Sequence, residues 1–272
     1  MLSKPLTARE ISAFNTAAAS ENKIHDDAIA RRFGFRGGLV PGVEVYAYMA
    51  HMPVERWGRA WLESGAAECR FLKPVYDGAR ARVSAAQESE QLALAVESAG
   101  EVCAMGRAFP PSDRRPRPSI DALPRGLPPP PAERPPASEV SLAPGRALGI
   151  APTIIDRATL AGYLDDIRET DPIYRSEGLV HPGQILRLAN QALVQNVVLG
   201  PWIHVGSKVR NWAVARVGDE LTLRAKVTTN AVSSKGHAIV EFDAIVVADG
   251  KTSIAEITHT AIWRPRPGAE AA

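Results

Sequence analysis

The sequence predicts an α+β fold that occurs twice in one chain. Three observations carry this reading. Each half places one long apolar helix ahead of alternating strands, the same order of short motifs recurs in both halves, and a proline-dense segment lies between them. A chain of 272 residues has room for two modest units, each with its own core. The expected boundaries are a first unit at 1–109, a connector at 110–144 and a second unit at 145–272. The connector holds 12 of the 22 prolines. Because proline has no N–H to give a helix or ladder, the stretch reads as an extended, polyproline-like linker.

The elements follow in order. The polar run "SENKIHDD" opens a short helix from Asp26 to Phe33, and "VEVYAYMAHM" after Pro41 and Gly42 reads as an apolar central helix. In "QLALAVES", Leu92, Leu94 and Val96 alternate with polar or small residues, the period of a half-buried strand. In the second unit, "QILRLANQALVQNVV" after Pro182 and Gly183 places Ile185, Leu188 and Ala192 on one helical face. Gln184, Arg187 and Gln191 fall on another. "LTLRAKVTT" alternates Leu221, Leu223, Ala225 and Val227 with polar residues, and the last two strands pair around an Asp249-Gly250 turn. The motif order is "NKIH", "LVPG", "RFLKPVYDG" in the first half and "DPIY", "VHPG", "RNWAVARVG" in the second. Gly42 to Gly78 spans 36 positions and Gly183 to Gly218 spans 35, a near-equality that marks an internal duplication.

Composition narrows the function classes. The net charge of +2 is all accounted for by residues 113–134, so the rest of the chain is neutral and lacks the basic footprint of a nucleic-acid binder. No apolar run approaches the ~18 residues of a membrane span, and the N-terminus has no signal-peptide core. Cys69 and Cys103 sit singly in strand-like stretches, as free thiols in a reducing compartment do. A cytoplasmic protein with no nucleic-acid or membrane partner is expected.

"ENKIHDDAIARRFGFRGGLVPG" followed by "RFLKPVYDGARARV" resembles the MaoC-like, (R)-specific enoyl-CoA hydratase family. The resemblance covers most of the first half and, more loosely, the second. It implies a double hot-dog fold, in which each curved antiparallel sheet wraps a central helix and the two units form a pseudo-dimer. It also implies an acyl thioester as substrate, most simply a coenzyme A ester, with water added to or removed from a 2-enoyl/3-hydroxyacyl group. No separate cofactor is implied, and the fused pair could dimerise again.

The family signature places an aspartate, an asparagine and a histidine at positions that here hold Ser20, Asn22 and His25. In the second half the same register gives Glu169, Asp171 and Tyr174. The histidine-glycine pair that opens the family's central helix is matched by Pro41-Gly42 and Pro182-Gly183, with His181 one residue earlier. By this resemblance His25 is the acid/base, Asn22 positions its loop, and Ser20 or Glu21 assists in place of the aspartate. Gly42, and Gly183 in the other half, polarise the thioester carbonyl at a helix N-terminus. Glu169, Asp171, Tyr174 and His181 form a degenerate second site. Arg36, in the "FGFRGG" flap, reaches a phosphate of coenzyme A. With neither dyad complete, a non-catalytic acyl-thioester-binding protein and a hot-dog thioesterase are the competing functions. A carboxylate beside His25 favours the enzyme, and none favours the binder. Read from the residues alone, "NKIHDD" favours a solvated His25 near a helix N-cap, with Asn22 or Ser20 as the cap.

The remaining histidines are expected elsewhere: His51 packed on the central helix, His259 buried on a strand face, His204 and His237 in loops or turns. None shows a zinc spacing, so no metal is expected.

Overall fold

The computed structural model describes residues 6–112 and 116–266. Eleven strands form one continuous antiparallel sheet. The first unit contributes β1 (Arg9–Ser12), β2 (Ala66–Phe71), β3 (Arg80–Glu88), β4 (Gln91–Ser98) and β5 (Glu101–Phe109). The second contributes β6 (Ala147–Gly149), β7 (Thr153–Ile154), β8 (Ile203–Asn211), β9 (Glu220–Val232), β10 (Ala238–Ala248) and β11 (Thr252–Arg264). The sheet order is β1-β3-β4-β5-β2-β8-β11-β10-β9-β6, with β7 also on β9. The order of one half therefore mirrors the other about the β2–β8 seam. There Glu68 lies opposite Lys208, and Cys69 opposite Ser207.

Each half wraps its sheet around a helix. In α2 (Gly42–Trp57) every residue from Val43 to Val54 is buried, the apolar majority by packing and Glu44 and His51 with polar partners. In α6 (Pro182–Val194) Ile185, Leu188 and Ala192 are buried as the spacing predicts. The two helices touch at Gly183, where an added Cβ would come within 2.6 Å of Ala47 Cβ. The short helix α1 spans Asp27–Arg32, with Asp26 capping it by accepting from Ala28 and Ile29 N–H. Three further short helices are α3 (Arg59–Ser64), α4 (Arg157–Asp166) and α5 (Ile173–Glu177). The β10–β11 hairpin turns at Asp249 and Gly250, both at positive φ, which the two-residue turn requires.

The structure shifts the internal register by one. Isolated bridges pair Leu39 with Tyr76 and Leu179 with Arg216, a separation of 37 positions in both halves. Leu39 thus corresponds to Leu179, Pro41 to His181 and Gly42 to Pro182. The helix caps agree, being Pro41 for α2 and His181 for α6. The motif pair Pro182-Gly183 is accordingly not the counterpart of Pro41-Gly42.

The proline-dense segment is docked rather than free. It includes 3-10 turns at Ile120–Ala122 and Pro131–Glu133. The backbone at Gly126 packs so closely on Leu148 that a Cβ there would sit 2.4 Å from its carbonyl carbon. Arg134 bonds Glu21 and the Val194 carbonyl, tying the segment to the His25 loop and to α6.

Candidate active site

Asn22 starts a 3-10 turn, Lys23–His25, by accepting from Ile24 N–H. The same amide clamps the second half: Nδ2 donates to the Trp202 carbonyl at 3.0 Å, and Oδ1 accepts from Trp202 N–H at 3.2 Å. Gly38 lets this loop close, since a Cβ there would lie 2.3 Å from the His25 carbonyl oxygen. His25 Nδ1 lies 2.6 Å from the Leu39 carbonyl oxygen. A carbonyl can only accept, so Nδ1 carries the proton and Nε2 keeps its lone pair. Asn22 Nδ2 stands 3.3 Å from that lone pair. Burial lowers the His25 pKa, with the Leu39 bond and the field of Glu44 working against it. The ring is therefore neutral near pH 7, with a basic nitrogen available.

Two cavities meet at His25. A cleft of about 1080 Å³ is lined by Gly42, Phe71 and His204 among others, and a second cavity of about 780 Å³ by Ser20, Glu21 and prolines 128–131. Asn22, His25, Pro41, Asn190 and Trp202 line both. The rim of the larger cleft carries Arg70, Lys73, Arg107, Lys208 and Lys235. Lys73 pairs with Glu101 and Arg107 with Glu68, while Arg70, Lys208 and Lys235 make no ion pair among the described residues. Arg36 is exposed and lines neither cavity, although its charge helps to lower the Glu101 pKa, so it stands near the Lys73 side of the rim.

The first-half residues thus converge, but no described carboxylate is hydrogen-bonded to His25. Glu21 pairs with Arg134 at 3.1 Å, and Ser20 Oγ donates to the Asn22 carbonyl. Both brace the loop rather than the imidazole. The acid nearest in effect is Glu44, fully buried on α2. It accepts from Thr16 at 2.9 Å and Tyr163 at 2.8 Å, and it is ion-paired with Arg187 of α6.

The second-half residues assemble elsewhere. Glu169 accepts from the N–H groups of Thr170 and Asp171 and lies 2.7 Å from His51 Nδ1. His181 Nε2 is 3.5 Å from the same carboxylate, an electrostatic neighbour rather than a hydrogen bond. Tyr174 packs on His181 with the rings tilted by 49° and centroids 4.5 Å apart, and its buried hydroxyl has no partner among the described residues. Asp171 caps its own turn by accepting from Ile173 N–H, the local counterpart of Asn22. Gly183 N–H donates to His181 Nδ1, and Tyr163 and Ala47 occupy the space beside it. None of these residues lines either cavity. His51 is buried as expected, yet its role is to hold Glu169. Burial works to raise the Glu169 carboxyl, but the His181 and His51 imidazoles outweigh it and hold the group well below the usual carboxylate range. A depressed acid stabilises the fold above its unfolded pKa and loses that contribution as pH falls. Urea midpoints should therefore drop steeply below about pH 4.5 in the natural chain and less steeply in Glu169→Gln. Parallel curves for the two proteins would refute this.

His204 departs from the loop or turn expected for it. It is 6% exposed on β8, facing Gly42. Trp202 and Glu44 go unmarked in the sequence, and His204 is marked only as a loop or turn residue. A lone acid inside "PGVEVY" was a readable signal of a buried ion pair; Trp202 and His204 had none. Among the described residues, no group of three or more His, Cys, Asp or Glu side chains is arranged to hold a metal, and no helix is long and apolar enough to cross a membrane. Cys69 and Cys103 are buried free thiols, and burial pushes Cys69 up to about 12.

No protein-family model matches the sequence, and no curated protein does. Solved structures do match in fold. A protein described as a MaoC-domain dehydratase from Chloroflexus aurantiacus superposes with a TM-score of 0.61 at 11% identity, covering 96% of this chain and 94% of that one. A Mycobacterium tuberculosis protein with a double hotdog fold gives 0.61 at 14%, covering 94% and 96%. A hot-dog protein of unknown function from Alicyclobacillus acidocaldarius gives 0.50 at 17%, covering 84% and 88%. The chain is a double hot dog, as the sequence resemblance implied.

Proposed function

We propose that this protein is a hydratase/dehydratase of 2-enoyl and 3-hydroxyacyl thioesters, most simply coenzyme A esters, with His25 as its acid/base. The observation that carries the reading is the placement of His25. Its tautomer is fixed by the Leu39 carbonyl, and its basic Nε2 stands where two cavities meet beside Gly42 at the open start of α2. In the hydration direction Nε2 takes a proton from water as the oxygen bonds to C3. The C2–C3 π electrons move toward the thioester oxygen, which the N–H groups at the start of α2 stabilise. Nε2 then returns the proton to C2, so water is added and the ring ends as it began. Asn22 Nδ2, 3.3 Å from Nε2, holds the ring in place, and the cationic rim suits a phosphorylated carrier. The dehydratase description of the C. aurantiacus structural neighbour agrees with this reading.

A second reading, an acyl-thioester-binding protein without turnover, is favoured by one observation, the lack of a carboxylate hydrogen-bonded to His25. The deciding experiment gives the protein crotonyl-CoA and 3-hydroxybutyryl-CoA and follows enoyl absorbance together with product mass. Interconversion supports the hydratase. Release of free coenzyme A would make it a thioesterase, and unchanged bound ester a binder. Gly42→Ala should weaken ester binding at least about ten-fold, because its Cβ would lie 2.9 Å from His204 Nδ1 and 3.0 Å from Phe71. Unaltered affinity measured by calorimetry would remove Gly42 from the site.

A further inference from the structure

Beyond His25, a second imidazole lines the cleft with one of its ring nitrogens unpartnered among the described residues. His204 Nε2 lies 3.2 Å from the Gly206 carbonyl oxygen and 2.8 Å from Ser207 Oγ. The carbonyl can only accept, so Nε2 carries the proton and Nδ1 is a lone pair. That Nδ1 is buried, has no hydrogen-bond partner among the described residues, and packs against Gly42, 2.9 Å from where a Cβ would sit. Ser207 Oγ is also 3.0 Å from His259 Nδ1. With its oxygen facing the His204 N–H, Ser207 donates to His259, whose proton is then on Nε2. The His204 and His259 rings stack with centroids 4.1 Å apart, and Phe71 meets His204 in a T-shaped contact with centroids 4.8 Å apart. Burial lowers His204 to about 3, so the acceptor persists across the neutral range. A buried, unpartnered acceptor on a residue that lines the cleft calls for a donor.

We propose that His204 Nδ1 accepts a hydrogen bond from the hydroxyl of a 3-hydroxyacyl thioester held at Gly42, so that the site prefers hydroxyacyl over saturated acyl esters. The Gly206 carbonyl fixes which ring nitrogen is bare, and Ser207, braced by His259, is a positioning residue that holds the ring. This rests on the acyl-thioester reading of the site. In the dehydration direction the same acceptor holds the departing water.

The test compares 3-hydroxybutyryl-CoA with butyryl-CoA by calorimetry in a His25→Ala background, where the hydroxy ester is not consumed. Two further substitutions are added to it: His204→Asn, which keeps an acceptor near the Nδ1 position, and His204→Phe, which keeps the stacked ring and removes the acceptor. The expected result is a preference for the hydroxy ester of roughly ten-fold or more, kept in His204→Asn and lost in His204→Phe. Equal affinity for both esters overturns the proposal and leaves the thioester reading standing. So does an equal loss of both in a folded His204→Phe. If neither ester binds, the thioester reading falls and this proposal with it. Nitrogen-15 NMR of the unsubstituted imidazoles decides independently of any variant. The Nε2–H form of His204 is expected, in the natural protein and in Ser207→Ala alike because the Gly206 carbonyl remains, and an Nδ1–H form in the free protein overturns the assignment.

Discussion

Replacing His25 with alanine is expected to lower turnover of a 2-enoyl thioester by about 10²- to 10⁴-fold, the usual contribution of one positioned acid/base. Ester affinity should change little, because Asn22, Gly42 and the cationic rim remain. The natural protein should also show a pH profile set by the same ring. His25 works as a base only when neutral, and burial lowers its pKa from 6.5. Activity should therefore stay flat from neutral pH upward on this account and fall on the acid side, with its midpoint below 6.5. Steady-state rates across pH for a crotonyl ester check both points. A His25→Ala enzyme of undiminished rate, or an acid limb centred above 6.5, would assign the chemistry to another group.

Glu44→Ala should be among the most destabilising single substitutions in the chain. The carboxylate is fully buried, and it is the point where Thr16 of the N-terminal segment, Tyr163 of α4 and Arg187 of α6 meet α2. Removing it leaves a guanidinium and a phenol without their acceptor, at a cost of about 3–5 kcal/mol for a broken buried pair. That is a large share of the ~5–15 kcal/mol that holds a typical domain folded. Glu44→Gln should cost less, since an amide oxygen can still accept from Thr16 and Tyr163. The Arg187 side chain is 36% exposed, so solvent screens part of its charge and the pair's net coupling in a double-mutant cycle should be smaller than the single loss. Urea denaturation of the three variants measures this; a loss under 1 kcal/mol for Glu44→Ala would contradict it. The substitution has a functional echo as well. The field of Glu44 raises the His25 pKa, so Glu44→Gln should move the acid limb of activity to lower pH.

Local pattern made much of the fold legible. The burial of Leu92, Leu94 and Val96 on β4 and of Leu221, Leu223, Ala225 and Val227 on β9 follows directly from their alternation. The apolar helices opened near Pro41 and Pro182 stand where the motifs placed them. Contacts distant in sequence were not legible. Asn22 meets Trp202 across 180 positions, and His51 meets Glu169 across 118; no local period encodes either. His204 was hidden for a different reason. The pairing of β8 with β11 slips between Thr260 and Ala261, so that Gly206 and His204 oppose them with Val205 left over. An extra residue breaks the two-residue alternation and turns a buried strand into what reads as loop. The one-position shift of the repeat arose because "VHPG" carries one residue more than "LVPG" between the shared leucine and glycine. The bridges at Leu39 and Leu179 and the caps at Pro41 and His181 reveal it.

The most direct test of a reversible water-handling site at His25 is oxygen exchange. 3-Hydroxybutyryl-CoA is incubated with the protein in water enriched in oxygen-18, and the recovered ester is weighed by mass spectrometry. Dehydration followed by rehydration places the heavy oxygen on C3 of the intact thioester, in the natural protein and not in His25→Ala. An unlabelled ester, or label found only in a free acid beside released coenzyme A, would contradict it.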